Sequence, residues 1–142
     1  MILDQKHLRF QKLCRQFAET EFTKELLDRL DETGEFDWDI FNKMSRYGFC
    51  GVKIPKEYGG AGGDYLSYAL LVEEFARVSP GMSIYANTSN SHGGGPLMLA
   101  GSEEQKQFYL PPVAKGEKIM VFALTEPGAG SDAGGKIGRA HV

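Results

Sequence analysis

Residues 102–132, SEEQKQFYLPPVAKGEKIMVFALTEPGAGSD, carry the chain from one kind of structure into another. Ser102 with Gln105 three positions on is a capping box: the serine oxygen accepts a free amide at the helix start, and the glutamine reaches back to another. Pro111 and Pro112 lack an N–H, so the spacing predicts a helix that stops at Leu110. KGEK at 115–118 reads as a turn. Ile119 to Leu124 is short and mostly apolar, which suits a first buried strand. The chain therefore reads as helical to about Gly116 and turns toward β beyond it.

Upstream, the apolar residues recur at helical spacing. Ile2, Leu3, His7, Phe10, Leu13, Cys14 and Phe17 predict an amphipathic helix over 4–20. Leu26, Leu27 and Leu30 continue an apolar face that Gly34 ends. Asp37 is placed to cap a helix over 38–47 carrying Trp38, Ile40, Phe41 and Met44, which Gly48 closes. Pro55 and the four glycines of 59–63 make GVKIPKEYGGAGG (51–63) a loop. Asp64 caps a helix over 64–78 with a core face of Leu66, Ala69, Leu70, Phe75 and Ala76. Ser79 and Pro80 open another over 81–92. It frays at Gly93–Gly95, and Leu97–Leu99 resume a turn that Gly101 closes. These helices are expected to form one bundle with Phe10, Phe17, Phe41, Leu70 and Phe75 inside.

The 142 residues are 42% hydrophobic and 25% charged, a composition that supports one globular domain with a core. A net charge of −3 implies no polyanion partner, and the charges of Lys24 to Glu35 mix signs like a solvated helix face, so nucleic-acid binding is disfavoured. Cys14 and Cys50 are far apart and lack metal-ligand spacing; a reducing compartment and no metal site are expected. No stretch has the apolar length of a membrane span or a secretory leader. The expected location is the cytoplasm.

Three glycine-rich motifs suggest chemistry. HGGG (92–95) supplies oxyanion amides in some lipases, but no G-x-S-x-G elbow accompanies it. The simpler reading is a loosened helix where glycine avoids a clash with a neighbour or ligand. GGAGG (59–63) has no following Gly-Lys-Ser/Thr, so it is a connector rather than a phosphate loop. TEPGAGSD (125–132) follows the expected strand. Pro127 fixes one dihedral, Gly128 and Gly130 permit close backbone approach, and Thr125 and Ser131 offer hydroxyls. Such a loop suits a flavin edge or a phosphate; the alternative is a decorated turn.

Three segments, in order, resemble the flavin-dependent acyl-CoA dehydrogenases: GFCGVKIPKEYGGAGG (48–63), AGSEEQKQFYLPPVAKGEKI (100–119) and FALTEPGAGSD (122–132). The resemblance implies a mainly α fold, an N-terminal helical domain over 1–116 followed by the first strand of a truncated β domain over 117–135. In that family FAD lies between the β domain and a C-terminal helical domain. The enzyme removes an α-proton and a β-hydride from an acyl-CoA thioester, leaving a trans-2-enoyl-CoA, and many members pass the electrons to an electron-transfer flavoprotein. A homo-oligomer is implied at full length. Acyl-CoA oxidases and enoyl-CoA reductases share these motifs, and a non-catalytic helical interaction domain is the alternative of another class.

By the same resemblance Phe122, Leu124, Thr125, Gly130 and Ser131 face FAD, with the Thr125 hydroxyl near the flavin N5 edge. Ser131 also lies toward the CoA pyrophosphate. Glu126 sits inside the signature and is not the expected base. The family's glutamate base comes from the C-terminal domain, outside this chain, so the chain alone is expected to be inactive. Ile84, Thr88 and His92, at i, i+4 and i+8, share one helical face. Aligned on Pro96, they match positions that line the family's acyl pocket. An imidazole at 92 suits a polar or short acyl group; the competing reading is a capping or solvent-facing histidine.

After GSDAGG the chain departs from the family pattern and reads KIGRAHV (136–142). Ile137 to Val142 translate a widely used short-read sequencing adaptor up to its stop codon. Residues 136–142 are therefore expected to be a non-native tail, set aside from fold reasoning.

Overall fold

The computed structural model describes residues 3–136, and among them the regular structure is helical. Seven α-helices follow in order: α1 Gln5–Glu21, α2 Lys24–Thr33, α3 Trp38–Arg46, α4 Tyr65–Val78, α5 Pro80–Asn87, α6 Gly94–Ala100 and α7 Glu103–Ala114. A π-helical turn, Thr88–Gly93, joins α5 to α6. None of the helices is long and apolar enough to cross a membrane.

Side-chain caps set six of the helix starts. Asp4, Thr23, Asp37, Asp64, Ser79 and Ser102 each accept the amide three residues on, which satisfies one of the donors a helix start leaves free. The capping box is complete: the Gln105 Oε1 accepts the Ser102 amide at 2.9 Å. Gly34 takes the left-handed conformation that ends α2, with φ of 66°. The Leu26–Leu30 segment is thus a separate helix, since the chain bends at Phe22 and Thr23 restarts it.

The core lies between α1 and α4. Phe17, Phe22, Phe49 and Phe75 form its centre, with Phe75 at 4.9 Å from Phe22 and 5.2 Å from Phe49, both edge to face. Such pairs add to the free energy of area burial. Phe41, Met44 and Leu71 extend the cluster, while Phe10 packs on its side and is only partly buried. A smaller cluster, Ile54, Tyr58, Leu110, Val113 and Ala114, joins the 51–63 loop to α7. That loop folds back on itself through Ala61 N–H to Gly51 O at 2.8 Å and Gly63 N–H to Val52 O at 2.7 Å. Gly60 has no room for a Cβ, which would strike the Ile54 backbone.

Three expectations change. The buried face of α4 is Ser67, Leu70, Leu71, Glu74 and Phe75; Ala69 is exposed and Leu66 and Ala76 are half-buried. Next, α7 runs through both prolines to Ala114. Pro111 and Pro112 remove two donors but keep their carbonyls, which accept from Lys115, Glu117 and Lys118. Burial of Leu110, Val113 and Ala114 holds the added turn. Lastly, residues 119–124 form no strand among the described residues. A strand is defined by its pairing, and the only bridge among the described residues is Glu126 with Ala129. The expectation for Ile137 to Val142 lies outside the described residues; Lys136 folds back, its ammonium 3.0 Å from Ala129 O.

Glu74 is the buried charge of this core, 1% exposed. Arg15 of α1 donates to it twice, at 2.8 and 2.7 Å, and Gln11 donates at 2.9 Å. The Arg15 hydrogen bonds hold its carboxyl below the ordinary range, with Gln11 assisting against the opposing effect of burial. A carboxylate depressed in the fold stabilises it above the unfolded-state pKa, about 4, and that contribution fades as pH falls below it. Glu74→Ala leaves Arg15 and Gln11 without their acceptor and is expected to cost about 3 kcal/mol at neutral pH. Glu74→Gln should flatten the acid limb of a stability-against-pH curve measured by urea unfolding. An unchanged acid limb would remove the clamp from the account of stability.

Candidate functional site

The polar run Thr88–Gly93 interrupts an apolar helix, and its winding explains the glycines after it. Asn90 is fully buried. Its amide nitrogen donates to Phe49 O at 2.6 Å and Ala86 O at 2.9 Å, and its Oδ1 accepts the Lys53 amide at 3.0 Å. One side chain thus ties the turn to the loop beneath α4. A Cβ on Gly93 would collide with Met120, and one on Gly94 with the Ser89 carbonyl. Glycine at 93 lets the segment after α7 cross the π turn in direct contact. The Gly94 amide is directed at the Ser89 and Ser91 carbonyls, so HGGG is packed helix and not an oxyanion hole.

That crossing brings one end of each set of sequence-predicted residues close to a single contact. Met120 lies two residues before Phe122, and Gly93 directly follows His92. Ile84 and His92 are exposed and Thr88 is half-buried, its hydroxyl donating to Tyr85 O at 3.0 Å. A shared face at i, i+4 and i+8 requires 3.6 residues per turn. Over Thr88–Gly93 the wider π winding changes the angle per residue, so equal spacing does not fix an equal direction. Asn90 itself went unread in the sequence. Its one signal was a polar residue flanked by apolar periodicity on both sides.

Beyond Met120, residues 121–125 take no regular structure. Phe122 is 55% and Leu124 41% exposed, and among the described residues no backbone bond engages the amides of 119–125. TEPGAGSD then closes a tight turn: Glu126 N–H meets Ala129 O at 2.9 Å, and Ala129 N–H meets Glu126 O at 3.1 Å. Pro127 and Gly128 form its corner, and a Cβ on Gly128 would meet nothing within 4 Å. Asp132 Oδ1 accepts the Gly135 amide at 3.1 Å. Thr125 and Ser131 stand exposed on either side of the turn. Exposed apolar side chains beside amides and hydroxyls with donor capacity fit a flat heteroaromatic ring, whose face is apolar and whose edge carries acceptors.

Other chemistry is poorly served. Burial pushes the Cys14 and Cys50 thiols up to about 12, with Glu74 adding to the effect at Cys14, so neither is a nucleophile. No group of three or more His, Cys, Asp or Glu among the described residues could hold a metal ion.

Residues 4–117 match the family model described as acyl-CoA dehydrogenase, N-terminal domain. The chain is 53% identical over 135 residues to the caffeyl-CoA reductase–Etf complex subunit CarC of Acetobacterium woodii, covering 95% of this chain and 36% of that protein. It is 48% identical over 134 residues to the 3-(aryl)acrylate reductase of Clostridium sporogenes, covering 94% and 35%. The chain thus spans about a third of the length of these relatives. Among solved structures it superposes with a TM-score of 0.86 on an acyl-CoA dehydrogenase complexed with FAD from Bacillus anthracis, at 38% identity over 94% of this chain and 23% of that one. A structure of the electron transferring flavoprotein of Acidaminococcus fermentans gives 0.87, at 38% identity over 96% and 36%.

The glycines make the packing testable. Gly93→Val is expected to cost about 1–3 kcal/mol by driving Met120 off the π turn. At Gly95 a Cβ meets nothing within 4 Å, so Gly95→Ala should be neutral or stabilising by about 0.5 kcal/mol. Thermal unfolding of the two variants checks this. Equal effects would mean that segment 117–125 does not rest on the turn.

Proposed function

The chain belongs to the acyl-CoA dehydrogenase family, and from that premise we propose that it is the N-terminal helical part of an FAD-dependent enzyme that oxidises an acyl-CoA to its trans-2-enoyl-CoA and passes the electrons to an electron-transfer flavoprotein. One observation supports the reading: Met120, just ahead of Phe122 and the glycine turn, packs against Gly93 of the π turn that carries Thr88 and His92. Bound FAD would supply the acceptor for the β-hydride, which carries both electrons. Phe122 and Leu124 would cover apolar ring surface. The Thr125 hydroxyl and nearby amides would donate to the ring edge, Gly130 would permit close approach, and Ser131 would donate toward the CoA phosphates. Ile84, Thr88 and His92 would face the acyl group. The names of the A. woodii relative and the A. fermentans structure support the flavoprotein partner.

A second reading is favoured by two relatives named as reductases, one of caffeyl-CoA and one of aryl acrylates. In it the same site reduces an aryl enoyl thioester. The polar pair Thr88 and His92 suits a hydroxylated ring better than a plain alkyl chain: a buried imidazole without a partner costs about 1–3 kcal/mol.

The 142-residue chain by itself is expected to keep no flavin absorbance through dialysis and to oxidise no acyl-CoA, because it offers one side of a flavin site and no assigned base. A stoichiometric flavin spectrum surviving dialysis would contradict this. Activity is tested in a chimera that substitutes residues 3–136 for the matched segment of the A. woodii subunit. Anaerobic bleaching of its flavin by an acyl-CoA supports the oxidative reading, and reoxidation by an aryl enoyl-CoA supports the second. A flavin-loaded chimera that responds to neither sinks both. His92→Leu should move the kcat/KM ratio toward straight-chain thioesters by about tenfold; an unchanged ratio takes His92 out of the acyl pocket.

A further inference from the structure

A separate cleft of ≈ 310 Å³ opens between the 51–63 loop, the start of α4 and the π turn with α6. Lys53, Tyr65, Ser91, Pro96, Met98 and Leu99 line it. Its single cation is held from both ends. The Lys53 amide is bound to the buried Asn90. The ammonium lies 4.3 Å from the ring centroid of Tyr65 and 4.8 Å from that of Tyr68. Among the described residues no carboxylate makes an ion pair with it.

Ring faces attract a cation but accept its N–H groups poorly, so the Lys53 ammonium keeps donor capacity for an anionic oxygen. The opposite wall is apolar: Pro96, Met98 and the largely exposed Leu99. Inorganic phosphate would engage the ammonium and leave that wall uncovered. A neutral hydrocarbon would cover the wall and leave the ammonium without an acceptor. A volume near the lower end of ligand pockets limits the occupant to a small molecule.

We propose that this cleft is a binding site for a small carboxylate with an apolar body, its carboxylate on the Lys53 ammonium and its body against Pro96, Met98 and Leu99. The site is independent of the flavin reading and stands or falls without it.

The test is titration of the 142-residue chain with hydrocinnamate, followed by the methyl signal of ¹³C-labelled Met98, with the corresponding alcohol as the uncharged control. Hydrocinnamate is expected to shift the Met98 signal in a saturable way and to bind about tenfold more tightly than the alcohol, the difference a charge-assisted hydrogen bond makes. Lys53→Met should abolish that preference and Lys53→Arg should keep it. Leu99→Glu, at the exposed rim, should weaken the acid more than the alcohol. The proposal fails if acid and alcohol bind alike, if neither moves Met98, or if folded Lys53→Met, verified by circular dichroism, retains the preference.

Discussion

The Asn90 amide is the join on which both candidate surfaces depend. It takes a side chain usually found in water to full burial and uses both ends of it, donating to Phe49 and Ala86 and accepting from Lys53. A buried amide with its hydrogen bonds made is specific in direction, because each lost partner leaves a polar atom stranded away from solvent. Asn90 therefore fixes the rotation of the π turn against the loop that precedes α4. From that rotation follow the contact of Met120 with Gly93 on one side and the placement of Lys53 beside Tyr65 on the other. The aromatic core can tolerate changes of shape; this join has a single geometry.

The helix starts were readable in advance where a capping side chain precedes an apolar run, as at Asp37, Asp64, Ser79 and Ser102, because capping is settled within four residues. What was not readable depends on distant partners. Nothing near Pro111 announces that Val113 will be buried and Ala114 packed against Gly51, keeping the helix going. Glu74 looks like a surface residue until Arg15, fifty-nine positions earlier, is placed on it. The strand expected at 119–124 had the right composition, yet pairing belongs to a sheet and not to a segment. In the candidate site, the TEPGAGSD turn was legible from Pro127 and its glycines. The winding of Thr88–Gly93 was not, since hydropathy cannot separate a buried asparagine from an exposed one.

Two linkages between distant helices set the architecture apart from a simple stack. His7, buried near the start of α1, has Nδ1 2.8 Å from Asp4 and Nε2 2.9 Å from Asp64. It thus joins the N-caps of α1 and α4, and the Asp64 carboxyl is held well below its usual range, chiefly by the Ser67 amide and hydroxyl. Glu74 with Arg15 fastens the same two helices farther along. Polar contacts at both places and Phe17 on Phe75 just beyond the second set one register for the pair. A sliding of α1 along α4 by a turn would break all three together.

The irregular segment after α7 has a consequence for how such a chain behaves in solution. Its amides at 119–125 have no backbone acceptors among the described residues, and Val121, Phe122 and Leu124 stand out from it. It presents an open hydrogen-bonding row with apolar side chains beside it, as the exposed margin of a sheet does. Margins of that kind recruit whatever extended chain reaches them, including another copy of themselves. The feature that equips the segment to be built upon also makes it a seed for self-association when the chain is concentrated alone.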